Sequence, residues 1–312
     1  MDLKGNLIPI GGGKDSTVTI ELLKEYKNEN YCLVVNGKDP SFETVKIAGY
    51  ENNKVIEVIR NIDKNLLDLN SKGYLNGHTP FSSMLAFLSY FIAFLTNKKY
   101  VVLSNESSAN ESNIKDENIN HQYSKSFEFE QDFRLYSEKY LRAGVEYFSI
   151  LRPISEFQIA MLFSKNKKYY NIFRSCNVGS KKKPWEWCCS CPKCLFVFVI
   201  LSPFLYKEEL VNIFKEDLLE KKELLETFIE LCGYGETKPF ECVGTFDEVN
   251  YAVSKTIIKL DETNRKLPYL LKYYKDNYGI ADTEVDISKQ YNDNCNLPKQ
   301  FDEILRRNIL ND

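Results

Sequence analysis

The sequence lacks an excess of charge of either sign. In its 312 residues, 41 lysines and arginines balance 44 aspartates and glutamates, which gives a formal net charge of −3 and a pI of about 5.7. This balance excludes a generally basic surface that coats nucleic acid. Beyond the lysines at 181–183, no basic run suits tRNA. The chain also has no internal repeat and no low-complexity tract.

Long hydrophobic runs are missing as well. The two most apolar stretches, 81–95 and 195–206, are either interrupted by serines or too short to span about 30 Å of hydrocarbon. The first residues show no basic stretch followed by an apolar region, so we expect no signal peptide, no membrane association and a cytoplasmic location. With 43% apolar residues, including 20 Phe and 20 Tyr, the chain can build a sizeable core and is not typical of a disordered protein.

The even number of cysteines expected of a disulfide framework is also absent. Four of the nine cysteines fall within residues 188–194, a spacing that favours a metal site in a chain without a secretory signal. Unligated buried cysteines and an iron–sulfur cluster are the alternatives. We predict a structural Zn²⁺ site with Cys189 as a bystander and with four thiolate ligands, namely Cys176, Cys188, Cys191 and Cys194.

The hydrophobic pattern predicts an α/β fold with helices on both faces of a parallel sheet, followed by a helical C-terminal part. Strands are expected at 6–10, 31–35, 54–59, 100–103 and 145–151. Helices are expected after the first strand and at 80–96, 123–141, 155–165, 195–205, 218–231 and 245–260. We predict a nucleotide-binding α/β domain with the cysteine site over residues 1–205 and a helical region over 206–312.

A glycine-rich loop follows the first predicted strand and consists of Gly11, Gly12, Gly13, Lys14, Asp15 and Ser16. Three glycines let backbone N–H groups approach an anion, and the next helix points its positive end at the same place. Lys14 would add a positive charge, Ser16 a hydroxyl donor and Asp15 a carboxylate for Mg²⁺. The loop therefore predicts a phosphate site, with a tight structural turn as the alternative. It fits neither the Walker motif nor the dinucleotide fingerprint.

An unusually polar segment, 104–113, follows the fourth predicted strand. Loops at the carboxyl ends of parallel strands line the ligand crevice, so we expect this segment to reach a binding site. A solvated loop is the alternative.

The chain has only two histidines, His78 and His121, and both lie in polar segments beside predicted helix starts. A pKa near neutrality suits histidine to proton transfer, although each could instead cap a helix or bind a loop. Arg152 and Arg174 are candidate anchors for a carboxylate or phosphate. An ordinary ion pair is the alternative for each arginine.

Several motifs together resemble one family. They are the glycine loop, 76–80 (Asn-Gly-His-Thr-Pro), 104–106 (Ser-Asn-Glu), 120–130, 147–153, 173–177 (Phe-Arg-Ser-Cys-Asn), the cysteine cluster and 238–244 (Lys-Pro-Phe-Glu-Cys-Val-Gly). From about residue 6 to about residue 255 the chain is similar to UDP-N-acetyl-α-D-muramoyl-L-alanyl-L-glutamate epimerases, which belong to the PP-loop ATP pyrophosphatases. Gly11 departs from the PP-loop pattern, in which the loop begins with serine.

The resemblance implies a reaction and its participants. ATP and Mg²⁺ would be used to invert the terminal L-glutamate of a UDP-muramoyl dipeptide to D-glutamate through an acyl-adenylate. AMP and pyrophosphate would be released, and the product would serve peptidoglycan precursor synthesis. The implied fold is that of the PP-loop, adenine nucleotide α-hydrolase-like proteins.

The resemblance also implies roles for particular residues. Loop residues 11–16 would bind ATP, with Asn36 near the adenine. His121 and Lys125 would transfer protons, with His78 in reserve. The residues expected to bind the substrate are Asn105, Glu106, Glu111, Arg152 and Arg174.

Three other functions remain open on the sequence. The loop and the cysteine pattern also suit an enzyme of 7-cyano-7-deazaguanine synthesis, and the loop alone suits tRNA thiolation. The motifs in the middle of the chain argue against both, and the lack of a basic surface argues against tRNA. A zinc-ribbon binding module with a vestigial loop is the non-enzymatic alternative. Neither the oligomeric state nor the identity of the catalytic base follows from the sequence.

Overall fold

The computed structural model describes residues 2–75, 80–110, 123–181, 185–239, 241–281 and 286–310. In this part of the chain, five parallel strands form one sheet in the order β3-β2-β1-β4-β5. Each strand lies within two residues of its predicted bounds. The strands are β1 (Asn6–Pro9), β2 (Tyr31–Val35), β3 (Val55–Val58), β4 (Tyr100–Leu103) and β5 (Glu146–Ser149).

Helices connect the strands and make up most of the second half of the described chain. The helices of the first half are α1 (Lys14–Leu22), α2 (Asp39–Ile47), α3 (Lys64–Ser71), α4 (Phe81–Leu95), α5 (Phe127–Tyr136) and α6 (Glu156–Ser164). Those of the second half are α7 (Pro192–Leu201), α8 (Lys207–Phe214), α9 (Leu225–Leu231), α10 (Phe246–Glu262), α11 (Tyr269–Tyr278) and α12 (Lys299–Leu310).

The sheet is buried on both faces. Successive side chains of a strand point to opposite sides, and in β1 Leu7 packs with α4 and α5 residues such as Tyr90 and Phe133. Its neighbour Ile8 belongs to the larger core on the other face, which includes residues of α1, α6, α7 and α10. The predicted α/β class, with a parallel sheet between helices, is therefore confirmed.

Two predicted helix starts are confirmed by reciprocal hydrogen bonds. Ser155 and Gln158 form a capping box at α6, and Thr245 and Glu248 form another at α10. These caps satisfy backbone N–H groups that have no partner within the helix. The helix predicted over 218–231 is wrong in its first half. Extended backbone at Lys221 separates two 3₁₀ turns there, and α9 begins only at Leu225.

The last helix packs against the sheet domain. Phe301 in α12 is fully buried, and its ring lies 5.0 Å from that of Phe148 and 5.1 Å from that of Tyr100. The C-terminal helix thus contributes to the core that carries β4 and β5. The division of the chain near residue 205 stays a prediction. In the described residues, no helix is both long and apolar enough to cross a membrane.

Candidate functional site

The glycine loop joins β1 to α1 at the carboxyl edge of the sheet. Gly12 has φ +82°, and a Cβ there would lie 2.7 Å from the backbone of Pro40 and Ser41. A positive φ and a close backbone approach both require glycine. Gly13 is the N-cap of α1, so the free N–H groups of the first helical turn face the loop.

Hydrogen bonds hold the loop in this conformation. The backbone N–H of Gly12 donates to Ser16 Oγ at 3.2 Å, and Ser16 Oγ donates to the carbonyl of Gly13 at 3.2 Å. From a distant segment, the N–H of Arg174 donates to the carbonyl of Gly12 at 2.9 Å. The loop is therefore held both by its own hydrogen bonds and by one from the segment at Arg174.

A cavity of about 480 Å³ opens beside the loop. Its floor includes the ends of β1, β2 and β4, and Lys38 and Trp185 lie on its wall. The predicted site residues that line it are Gly11, Gly13, Asp15, Ser16, Asn105, Glu106, Lys125 and Arg174. Gly12, Lys14, Asn36 and Arg152 are not among its lining residues. His78, His121 and Glu111 lie outside the described residues.

Lys14 is buried behind the loop. Its side chain is 1% exposed, and its ammonium forms ion pairs with Asp15 and Glu156. Burial alone would lower the pKa of Lys14, but the two carboxylates outweigh it and raise the pKa. Lys14 is thus a fixed positive charge that organises carboxylates, and its ammonium does not reach the cavity wall.

Three carboxylates meet at the base of the cavity. One oxygen each from Asp15, Glu106 and Glu156 lies within 4.8 Å of the others. Burial would raise the pKa of Asp15, but Lys14 lowers it. Burial raises the pKa of Glu156 to about 8, although Lys14 opposes the rise. Oxygen ligands of this kind suit Mg²⁺, and Asp15 and Glu106 are the two that line the cavity.

Lys125 lines the same cavity as the loop. Its ammonium is 3.0 Å from Cys242 Sγ. Burial would lower the pKa of Lys125, but Cys242 and Glu106 raise it. The amine is therefore protonated at neutral pH, in position to donate a proton into the cavity.

Arg152 is fully buried and pairs with Glu130, with Nη2 3.3 Å from Oε2. Its other donors reach the carbonyl of Glu106 at 2.8 Å and the carbonyl of Lys125 at 2.7 Å. These contacts use the guanidinium to hold two cavity residues in place. Arg174 donates to the carbonyls of Phe173 and Trp185, but it also lines the cavity.

Asn36 directly follows β2 and has φ +47°. Its side-chain amide donates to the carbonyl of Arg60 at 2.8 Å, and its carbonyl oxygen accepts from the N–H of Arg60. These bonds fasten the ends of β2 and β3. Val35, the residue before it, lines the cavity.

The four predicted metal ligands are brought together beside the cavity. Cys176 Sγ is 3.8 Å from Cys191 Sγ, which is 3.5 Å from Cys194 Sγ. Cys188 Sγ lies 3.7 Å from Cys194 Sγ. Four thiolates at a Zn–S distance of about 2.3 Å would stand about 3.8 Å apart in a tetrahedron, so the group could hold one metal ion.

The fifth cysteine of this region is placed apart. Cys189 is buried and turns its thiol to the carbonyl of Phe214, 3.1 Å away. Its backbone has φ +56°. The prediction that Cys189 is a bystander agrees with this geometry.

Four residues near the site were missed by sequence reasoning: Glu156, Lys193, Cys242 and Glu248. Glu156 accepts from Lys14, and its own N–H donates to Glu248 at 2.7 Å. Lys193, between two predicted metal ligands, donates to the carbonyl of Cys242. Glu156 and Glu248 lie in the first turns of α6 and α10, within ranges that the sequence predicts only as helices. Cys242 lies in a motif of the family resemblance, which was the one signal available.

Comparisons with known proteins agree with the family resemblance. Residues 2–150 match the family model of the MurL N-terminal domain, and residues 172–282 match that of the MurL C-terminal domain. A relative from Micromonospora sp. is 36% identical over 252 residues, which cover 80% of this chain and 56% of the relative. One from Xanthomonas oryzae pv. oryzae is 36% identical over 254 residues, which cover 80% of this chain and 56% of the relative.

A third relative, from Salinispora tropica, is 37% identical over 252 residues, covering 80% of this chain and 54% of its own length. All three carry the name UDP-N-acetyl-α-D-muramoyl-L-alanyl-L-glutamate epimerase. The chain spans little more than half the length of these relatives. With matches to both MurL domains and to these relatives, the chain belongs to the UDP-N-acetyl-α-D-muramoyl-L-alanyl-L-glutamate epimerase (MurL) family.

Proposed function

We propose that this protein uses ATP and Mg²⁺ to invert the terminal L-glutamate of UDP-MurNAc-L-Ala-L-Glu, releasing AMP and pyrophosphate. One observation carries the proposal. The glycine loop, two carboxylates and a protonated lysine all line one cavity in a chain with both MurL domains. A phosphate-binding loop beside a proton donor is what an activated epimerisation needs.

The chemistry explains why ATP would be consumed. The α-proton beside an ionised carboxylate is very hard to remove, because the carbanion gathers charge next to existing charge. Adenylation neutralises the carboxylate and makes its carbonyl an electron sink. A base then removes the proton, an acid returns one to the opposite face, and hydrolysis of the acyl-adenylate completes the reaction.

The loop would bind the triphosphate through its backbone. Gly13 and the first turn of α1 present N–H groups and the positive end of the helix dipole to the cavity. Lys14 would not bind the phosphates directly, because its buried ammonium pairs with Asp15 and Glu156 and holds these carboxylates in place. Asp15 and Glu106 would hold Mg²⁺, which when bound supplies charge that stabilises the departing pyrophosphate.

Lys125 would return the proton in this reaction. Its pKa is raised by Cys242 and Glu106 against the effect of burial, so it starts as an acid. Arg152 would position Lys125 and Glu106 through their carbonyls. We assign the opposite proton transfer to His121, with His78 as the second candidate. Arg174 would anchor a carboxylate or diphosphate of the substrate, and Asn105 and Glu111 would line the substrate crevice. His121, His78 and Glu111 lie outside the described residues.

The cysteine cluster would hold a structural Zn²⁺. Its sulfur separations of 3.5 to 3.8 Å fit a single ion, whereas a cubane spreads its thiolates over four irons. Metal analysis should find about one zinc per chain in a colourless protein. Iron with a visible absorption band would contradict the assignment.

The activity test measures pyrophosphate released from ATP and Mg²⁺ with three acceptors offered separately. We expect release with the muramoyl dipeptide and none with a deazapurine carboxylic acid or tRNA. Release with only the deazapurine carboxylic acid, or with only tRNA, would contradict the proposal and indicate a different PP-loop enzyme. No release with any acceptor would favour a binding module.

Lys125 is tested by following the conversion of the terminal L-glutamate to D-glutamate with ATP and Mg²⁺. Lys125→Met removes the proposed acid, so epimerisation should fall by about 100-fold or more. Lys72→Met is the matched control, because Lys72 is an exposed lysine at the end of α3, and it should keep wild-type activity. Wild-type epimerisation by Lys125→Met would show that Lys125 transfers no proton.

A further inference from the structure

The loop has no side chain at position 11, whereas the PP-loop pattern that it resembles begins with serine. Gly11 lines the cavity, and a Cβ at Gly11 would meet no atom within 4 Å. Its φ does not lie in the left-handed region. Neither packing nor backbone strain therefore requires glycine at this position. The cavity has room for a side chain there.

A hydroxyl from another part of the chain, that of Ser175, lies close to Gly13 of the loop. Ser175 Oγ lies 2.9 Å from the position that a Cβ of Gly13 would take. Gly13 is the N-cap of α1 and has no side chain to cap the helix. Ser175 lines the same cavity, and its hydroxyl has no hydrogen-bond partner among the residues that the structure describes.

The backbone on both sides of Ser175 is fixed. The N–H of Arg174, the preceding residue, donates to the carbonyl of Gly12 at 2.9 Å. The following residue is Cys176, whose carbonyl accepts from Trp185 Nε1 at 3.1 Å and whose sulfur belongs to the four-cysteine cluster. The segment that carries Cys176 thus holds the Ser175 hydroxyl beside the loop.

We propose that Ser175 donates a hydrogen bond to a phosphate oxygen of bound ATP and so replaces the hydroxyl that the loop lacks at position 11. The inference rests on the proposed ATP-dependent function, because that function supplies the phosphate. A hydroxyl at the N-terminus of α1 adds a charge-assisted hydrogen bond to those of the backbone N–H groups. It also couples the cysteine cluster to nucleotide binding.

The test is equilibrium binding of ATP with Mg²⁺ to the full chain by isothermal titration calorimetry. Ser175→Ala should weaken ATP binding about tenfold, as expected for one hydrogen bond to a charged group. Gly11→Ser in the Ser175→Ala background should restore affinity to within about threefold of wild type. Gly11→Ala in that background should not, since it fills the same space without a hydroxyl.

The outcomes separate this inference from the proposed function. Wild-type protein that binds no ATP would overturn both. Wild-type protein that binds ATP, with Ser175→Ala binding it equally well, would overturn the inference alone, and so would equal rescue by Gly11→Ala and Gly11→Ser. Zinc content is measured in each variant, and a weakened Ser175→Ala that has lost its metal would count against a direct contact.

Discussion

Neighbouring glycines of the loop differ in what they tolerate. At Gly12, an added Cβ would lie 2.7 Å from backbone atoms of Pro40 and Ser41, with φ at +82°. Gly12→Ala should therefore abolish ATP binding and lower the free energy of unfolding by about 2 kcal/mol or more. Chemical denaturation and calorimetry measure the two effects. Gly11→Ala is the matched control and should be tolerated; an equal loss in both variants would contradict the loop geometry.

Arg152 forms a buried ion pair whose contribution to stability can be measured. It is 0% exposed and compensates the buried carboxylate of Glu130. Arg152→Met leaves that charge unpaired, so the free energy of unfolding should fall by about 3–5 kcal/mol. Adding Glu130→Gln should recover part of this loss, because the unpaired charge is then removed.

Chemical denaturation at neutral pH measures the effect of Arg152→Met. Lys72→Met breaks the exposed Lys72–Asp68 pair and should change stability by less than about 1 kcal/mol. An Arg152→Met variant as stable as Lys72→Met would show that Arg152 has no structural role.

At the scale of elements, the buried strands and capped helices could be predicted because their signals are local. Periodic apolar residues and the capping box at Thr245 determine those elements from neighbouring residues alone. The break at Lys221 could not be predicted in this way, because its ammonium bonds the carbonyl of Cys189, distant in sequence.

The same distinction between local and long-range signals applies to the candidate site. The loop and the cysteine cluster are contiguous motifs, so they were found. The ion pair of Lys14 with Glu156 joins residues 142 positions apart, and no pattern in one sequence reports that pairing. Lys14 was for this reason expected at the phosphates instead of behind the loop.

Helix α10 carries a buried lysine whose titration tests the packing of the C-terminal helices. Lys259 donates to the carbonyls of Ser202 and Leu205 beyond the end of α7. Burial lowers its pKa to about 8, with a smaller contribution from Arg265. In the unfolded chain the same amine keeps its proton to about pH 10.5. The unfolded state therefore binds more protons between these values, and this residue's contribution to stability rises with pH.

Lys259→Met removes that titration. Denaturant unfolding at pH 7, 8, 9 and 10 should show the stability of wild type rising relative to the variant above pH 8. Below pH 8 the difference should be constant, because Lys259 is protonated in both states. A difference that stays flat from pH 7 to pH 10 would contradict the burial of this amine.

At the scale of the whole molecule, the carboxyl edge of the sheet, the segment before Cys176 and the turn before α10 all contribute residues at or next to one cavity. The loop follows β1, Ser175 comes from the segment that carries Cys176, and Cys242 comes from the turn before α10. Each segment supplies one kind of group: backbone N–H donors, a hydroxyl, or a partner for Lys125. If the proposed function is correct, nucleotide activation and proton transfer take place in one site.

The most direct test of this account is hydrogen exchange at the substrate's chiral carbon. The full chain is incubated in heavy water with UDP-MurNAc-L-Ala-L-Glu, ATP and Mg²⁺, and the glutamate is analysed by mass spectrometry and chiral chromatography. The account predicts D-glutamate with one deuterium at Cα, and no deuterium when ATP is withheld. Pyrophosphate release without deuterium at Cα, or exchange that proceeds equally without ATP, would contradict it.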